Sequence, residues 1–334
     1  MQKEKTGLYP LTFRPILKHK VWGGKKLNRS LHKKGEGTIG ESWELSTVPN
    51  NISVIAHGAW VGKNLMQLIK THKAKILGNH VFNTYGIHFP LLFKFIDAND
   101  ALSVQLHPND ALAKKRHNSF GKTEMWYIIQ ADAGAKIIAG FTKNTTVPEY
   151  KKHLANNTIT EILQYETAKK GDTFFIAPGT VHAIGKGILL AEIQQTSDVT
   201  YRIYDWDRPG SDGKMRELHT HLALEAINFK KTQTKIAYKQ NPNTAVLLKK
   251  SAYFTTNRLQ LTAHIRRDLR HQDSFVVYMC VAGTAVIAAN NHKQPILFGG
   301  TVLIPAAHSN IQIFTKGATL LEVSLPNPKP IKNI

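Results

Sequence analysis

Cysteine is nearly absent from this 334-residue chain: Cys280 stands alone, which excludes an intrachain disulfide and any thiolate metal cage. Its neighbours Val276-Val277-Tyr278-Met279 and Val281 describe an apolar strand with an inert thiol, a usage that fits a reducing cytoplasm. No run approaches the roughly 20 apolar residues a membrane-spanning helix needs, and Met1-Gln2-Lys3-Glu4-Lys5-Thr6 lacks the apolar centre of an export signal, so neither is expected. Acidic residues are scarce: 23 Asp and Glu against 44 Lys and Arg leave a formal net charge of +21. That surplus suits nucleic acid or a phosphorylated small molecule. No zinc finger, basic zipper or RNA-binding signature accompanies it, so the charge reads as a field assisting an anionic ligand, and nucleic acid is not the expected partner.

Long helical patterns are also few. Pro10, Pro15, Gly23-Gly24, Gly35, Gly37, Gly40 and Pro49 break residues 8–62 into loops and short strands, among them the alternating Gly40-Glu41-Ser42-Trp43-Glu44-Leu45-Ser46. Leu65, Leu68, Ile69, Ile76 and Leu77 recur at helical spacing until Gly78. Pro90 to Ile96 is an apolar strand, and Trp126–Ile129 with Lys136–Gly140 reads as a hairpin. Residues 146–166 look helical, with Pro148 in the first turn, and so does Glu217 to Phe229. Beyond residue 236 short strands dominate. A chain of this length exceeds a single core, so two domains are expected, 1–235 and 236–334.

An internal echo supports the division. Tyr278 to Ile287 resembles Tyr127 to Ile138, Gly299 to His308 resembles Gly171 to His182, and Leu320-Leu321-Glu322-Val323 resembles Leu190-Ala191-Glu192-Ile193. Aligning Tyr278 with Tyr127 sets Phe275 opposite Glu124 and Arg258 opposite His107, so the second copy, with only His308, is not expected to bind a metal.

Chemistry concentrates between Leu102 and Arg208. Ser103, Gln105 and His107 alternate in a strand-like run and so share one face, with Leu102, Val104 and Leu106 on the other. Gly121-Lys122-Thr123-Glu124 adds a lysine and a carboxylate, and Pro178-Gly179-Thr180-Val181-His182 places an imidazole after a turn. Gln105, His107, Glu124 and His182 form a nitrogen- and oxygen-rich set suited to a borderline divalent ion with an open position.

The order of these phrases resembles the cupin family, here as two tandem copies. More closely, Ser103-Val104-Gln105-Leu106-His107-Pro108, Gly121-Lys122-Thr123-Glu124-Met125 and His182-Ala183-Ile184-Gly185 followed by Glu192, Ser197-Asp198, Thr200 and Arg202 are similar to the type I mannose-6-phosphate isomerase family in its short bacterial form. Lys20-Val21-Trp22-Gly23-Gly24 and Gly40-Glu41-Ser42-Trp43-Glu44 extend the likeness. The resemblance implies a mainly β fold of two cupin-type jelly-roll barrels with a helical insert in the first, a hexose phosphate as partner, and a cytoplasmic monomer or homodimer. It further implies one zinc ion on Gln105, His107, Glu124 and His182, a catalytic arginine at Arg202, and phosphate contacts at Ser103 and Lys122. Longer members have a lysine where Arg208 stands and a His-Lys-Pro-Glu phrase where Gly121 to Glu124 stands.

Such an isomerisation removes a proton beside a carbonyl and returns it to the adjacent carbon. Glu192, Asp198 and Lys122 are the candidate proton carriers, Arg202 a fixed charge for the developing oxyanion, and Lys122 and Arg208 the phosphate-binding cations. Trp22, Trp43, Trp126 and Trp206 suit core packing or a sugar face. Two histidines and a carboxylate also suit a non-haem iron oxygenase, and the +21 charge with a ligand-poor second copy suits a non-catalytic binding protein.

Overall fold

Strands carry most of the regular structure in the computed structural model, which describes residues 7–210 and 212–327. No helix among them is long and apolar enough to cross a membrane. The described residues fall into two compact units, one drawn from 1–16, 44–90 and 237–334, the other from 17–43 and 91–236. The cut at 236 lies where the composition changes. That residues 44–90 group with the C-terminal strands is invisible in local pattern.

The unit that carries the site has two sheets. In one, Leu91–Ala98, Ile188–Gln195, Glu124–Ala131 and Thr173–Ile176 are successive antiparallel neighbours. In the other the order is Tyr201–Tyr204, Val104–Leu106, His182–Ile184, Lys136–Phe141 and Leu163–Thr167. Alternation along the second sheet divides its residues between two cores. Ile137 joins Trp126, Phe174 and Leu190 on one face. Ile138, Val104 and Leu106 pack on the other against Tyr150 and Ala223, from the helices Val147–Ala155 and Thr220–Ala226. Leu102 departs from the alternation and joins the first core, because it precedes the three-residue strand.

The long helices foreseen from spacing are shorter. The 146–166 stretch is a helix from Val147 to Ala155, capped by the Thr146 hydroxyl and carrying Pro148 in its first turn, then a 3-10 turn and the strand Leu163–Thr167. The run to Gly78 breaks at Lys73, whose φ is 49°. Residues 217–229 are helical only over Thr220–Ala226.

The other unit repeats the strand order. Thr255–Leu261, Asn310–Ser324, Val276–Ala289 and Thr301–Ile304 are neighbours in the same sequence of positions as Leu91–Ala98, Ile188–Gln195, Glu124–Ala131 and Thr173–Ile176. The registers match row for row: Lys94, Glu192, Trp126 and Phe174 in one, Asn257, Glu322, Tyr278 and Val302 in the other. Tyr278 is therefore equivalent to Trp126, so the sequence echo was aligned one residue out. Val276 stands at the Glu124 position, and Arg258 lies on the strand equivalent to Leu91–Ala98 instead of opposite His107.

Glu322, at 1% exposure, is fully engaged in this second row. It accepts from Arg267 at 2.7 and 2.8 Å, Tyr278 Oη at 2.7 Å and Asn257 Nδ2 at 3.0 Å. Removing one partner of a buried pair strands the others, so Glu322→Ala should lower unfolding stability by roughly 3–5 kcal/mol. Equilibrium urea unfolding checks this; a loss under about 1 kcal/mol would show the cluster is well solvated.

Candidate metal centre and active-site cavity

Three short segments are laced together before any ligand is considered. Gly179, at φ 80°, donates its N–H to the His107 carbonyl at 2.8 Å, and a Cβ there would sit 2.4 Å from the Ala226 carbonyl oxygen, which fixes glycine at this turn. Asp110 Oδ1 accepts from Gly121 N–H at 2.8 Å and Gln195 Nε2 at 3.0 Å, and Gln195 Oε1 accepts from Thr123 N–H at 2.9 Å. The Gly121–Glu124 phrase is thus held on both sides. Strand register does the rest, because His182 and Arg202 both pair with Gln105.

His107, Glu124 and His182 are each 1% exposed, and one potential ligand atom from each lies within 4.8 Å of the others. Each imidazole is oriented through Nδ1: His107 to the Val199 carbonyl and His182 to the Thr180 carbonyl, both at 2.9 Å. Those bonds make Nδ1 the protonated nitrogen and leave the Nε2 lone pair facing inward, as a metal-ligating histidine requires. Burial, with the Lys122 ammonium nearby, pushes His107 down to about 3, so its ring stays neutral. Burial also lowers His182. Burial alone would raise Glu124, but the Lys122 ammonium beside it holds it well below the ordinary carboxylate range.

Lys122 Nζ, 4% exposed as a residue, lies 2.7 Å from Glu124 Oε1 and 3.1 Å from His107 Nε2. A cation therefore already sits at this edge of the set. Glu124 Oε2 has no hydrogen-bond partner among the described residues, and its contact with His182 Nε2 is 3.7 Å. A buried carboxylate oxygen without a partner, facing two imidazole lone pairs, fits a divalent ion. Gln105 lies beside this set. Its Nε2 is 3.5 Å from His182 Nε2 and its Oε1 accepts from Ser103 Oγ at 3.3 Å, so an amide flip turns its oxygen inward.

Above this set opens a cavity of about 320 Å³, a size that admits a small polar molecule. Ser103, Gln105, Lys122, His182, Glu192, Asp198 and Arg202 all line it. His107 and Glu124 are not in its lining but touch Lys122, which is. Arg208 is elsewhere, held by Asp100 at 3.1 Å and Asp205 at 3.3 Å. Trp22, Trp43 and Trp126 line the cavity, whereas Trp206 donates to the Leu102 carbonyl at 2.8 Å. Lys122 lines the cavity with its ammonium set against Glu124 and His107.

Four lining residues were not foreseen: Lys20, Glu41, Lys94 and Arg216. Lys94 Nζ lies 3.1 Å from Glu192 Oε1 and 3.7 Å from Glu41 Oε2, and Glu192 Oε2 accepts from Trp126 Nε1 at 2.9 Å. A lysine at the centre of the wholly buried strand Leu91–Ala98 was the available signal, since lysine is almost never fully buried unpaired. Burial and the neighbouring Glu124 raise Glu192, with Lys94 and Lys122 opposing. Arg202 is shifted down by burial, then by Arg216.

Residues 11–160 match the family model described as phosphomannose isomerase type I, catalytic domain. The chain is 35% identical over 302 residues to the mannose-6-phosphate isomerase ManA of Bacillus subtilis, spanning 89% of this chain and 93% of that protein. It is 34% identical over 301 residues to the mannose-6-phosphate isomerase of Streptococcus mutans, spanning 89% and 92%. A solved mannose 6-phosphate isomerase from Bacillus subtilis superposes with a TM-score of 0.86 at 29% identity, over 96% of this chain and all of that one.

Chelator-treated protein titrated with a divalent ion should show one tight site, lost in His107→Ala and His182→Ala and retained in His308→Ala. Metal content after gel filtration, with far-UV circular dichroism as the check on folding, reads the outcome. Undiminished binding in either of the first two variants contradicts the site.

Proposed function

The chain belongs to the type I phosphomannose isomerase family, and on that premise we propose that it interconverts mannose 6-phosphate and fructose 6-phosphate by proton transfer through an enediolate. The observation that carries this reading is the buried His107–Glu124–His182 set, its Nε2 lone pairs and one carboxylate oxygen converging beneath a cation-lined cavity. We read the ion as a single zinc held by those three residues and Gln105, because a borderline ion suits mixed nitrogen and oxygen donors. When bound, it supplies charge stabilisation for oxygen that becomes negative during the reaction. The repeated strand order supports a cupin-type barrel in each unit, with the Val147–Ala155 helix as the insert in the first. The cytoplasm is the compartment that suits the lone buried thiol.

Arg202 stands next to Gln105 in register, with Nη1 donating to the Glu217 carbonyl at 2.7 Å and its backbone N–H to His219 Nδ1 at 3.1 Å. Those contacts orient a guanidinium toward the reacting end. Its role is to meet the oxyanion that develops as the C2 proton leaves the aldose. Glu192 is the favoured proton carrier, because it lines the cavity and its environment makes protonation easier than for an ordinary carboxylate. Asp198, on the exposed side, is the competitor. Ser103 orients the Gln105 amide. Lys122 fixes Glu124 and His107, which makes it a positioning residue for the metal ligands.

A coupled assay of mannose 6-phosphate turnover, run before and after chelation and again after readdition of zinc, tests the reading; activity indifferent to chelation with metal demonstrably removed contradicts it. Arg202→Ala should lower kcat by roughly 10²–10³ with a smaller change in KM, since the charge it meets exists only in the transition state. A large rise in KM at unchanged kcat would move Arg202 to a binding role.

A further inference from the structure

The substrate's anionic end needs a cation; of those lining the cavity, the ammonium groups of Lys20, Lys94 and Lys122 face the carboxylates of Glu41, Glu192 and Glu124, and Arg208 lies outside the lining. Two guanidinium groups line the cavity, those of Arg202 and Arg216. Arg202 is tied by register to Gln105 and so belongs to the reacting end. Arg216 reaches the cavity from the segment that follows Tyr201–Tyr204, and its placement is built. Trp206 and Asp207 both adopt left-handed φ, 60° and 49°, a conformation a bulky aromatic holds only where its surroundings fix it. The chain then returns through a bridge between Pro209 and Met215.

Arg216 lands against Asp205, donating from Nε at 2.6 Å and from Nη2 at 2.5 Å, a bidentate fork on a carboxylate with 2% side-chain exposure. Nη1 has no partner among the described residues. Arg208 shares the same carboxylate. Arg202, Arg208 and Arg216 thus gather around one buried Asp205, while the other nearby carboxylates, Asp100 and Glu217, are 56% and 83% exposed. Arg216 and Arg208 each disfavour the charge on Arg202. A dianion would relieve the mutual repulsion of these groups.

Resting on the isomerase reading, we propose that Arg216, oriented by Asp205, binds the substrate's phosphate and so sets the preference for phosphorylated over free hexose. Asp205 acts as a positioning residue. The null role for Arg216 is a structural ion pair with Asp205, and the two roles separate by substrate.

The test uses the zinc-loaded full chain. Arg216→Gln should raise KM for mannose 6-phosphate roughly tenfold to a hundredfold, as loss of a charge-assisted contact predicts, with kcat changed less than about threefold. Competitive inhibition by inorganic phosphate should weaken in parallel, and the low kcat/KM for free mannose should stay unchanged. Arg216→Lys keeps the ion pair with Asp205 but loses the planar fork, so it reads the same effect should Arg216→Gln misfold. Lys143→Gln, which removes one exposed charge from a side chain 68% exposed, controls for net charge. Calorimetric binding of inorganic phosphate to wild type and Arg216→Gln stands apart from turnover. If the chain is no isomerase, weaker phosphate binding in the variant still supports the clamp. An unchanged KM with unchanged phosphate inhibition overturns it, and so does a fall in kcat at constant KM.

Discussion

A buried carboxylate with an oxygen that no hydrogen bond from the described residues reaches is the constraint on which the site depends. Glu124 is ionised at 1% exposure, in contact with one ammonium and two neutral imidazoles, and still has one oxygen without a hydrogen bond. Desolvating such a group costs several kcal/mol, which the Lys122 contact at 2.7 Å offsets. Much of the surrounding structure serves to keep the arrangement from relaxing. Backbone carbonyls fix both histidine tautomers, Asp110 and Gln195 pin the Gly121–Glu124 phrase, and Gly179 ties the His182 turn to His107. A fold that holds an under-satisfied anion this rigidly is organised for a cation.

The repeat shows what happens to the same scaffold without that demand. Equivalent rows carry Lys94–Glu192–Trp126 in one unit and Asn257–Glu322–Tyr278 in the other. Where Glu124 would stand, the second unit has Val276, and its buried Glu322 is saturated by Arg267, Tyr278 and Asn257. A fully satisfied buried charge pins a strand row in place. Glu192, held between Lys94 and the Trp126 indole, lines the cavity instead, where burial and Glu124 raise it. One row is locked; the other is left able to react.

Much of the candidate site's clustering was legible because strand alternation is local: Ser103 and Gln105 on one face, and Lys122 against Glu124, follow from a period of two. The mainly β character and the repeated unit were legible for the same reason. What failed depended on long-range register. The Tyr127–Tyr278 echo was aligned one residue out, while the Glu192–Glu322 and Gly171–Gly299 echoes stand in register, because the first repeat is bulged, with pairing of Ile188–Gln195 against Glu124–Ala131 shifting between Leu189 and Leu190. Arg208 was named from sequence and Arg216 was not, yet Arg216 lines the cavity and Arg208 does not, a difference set by a path through left-handed Trp206 and Asp207 that local pattern does not reveal. Lys94 was hidden because a charge in an apolar run finds its partners, Glu41 and Glu192, only once distant strands pair.

Anomalous diffraction at the zinc edge, from crystals soaked in zinc after chelation, tests this account most directly. The prediction is one strong peak bonded to Nε2 of His107 and His182 and to a carboxylate oxygen of Glu124, with Lys122 displaced from the shared oxygen and no peak beside His308. A principal peak elsewhere, or none with the three side chains unmoved, would contradict it.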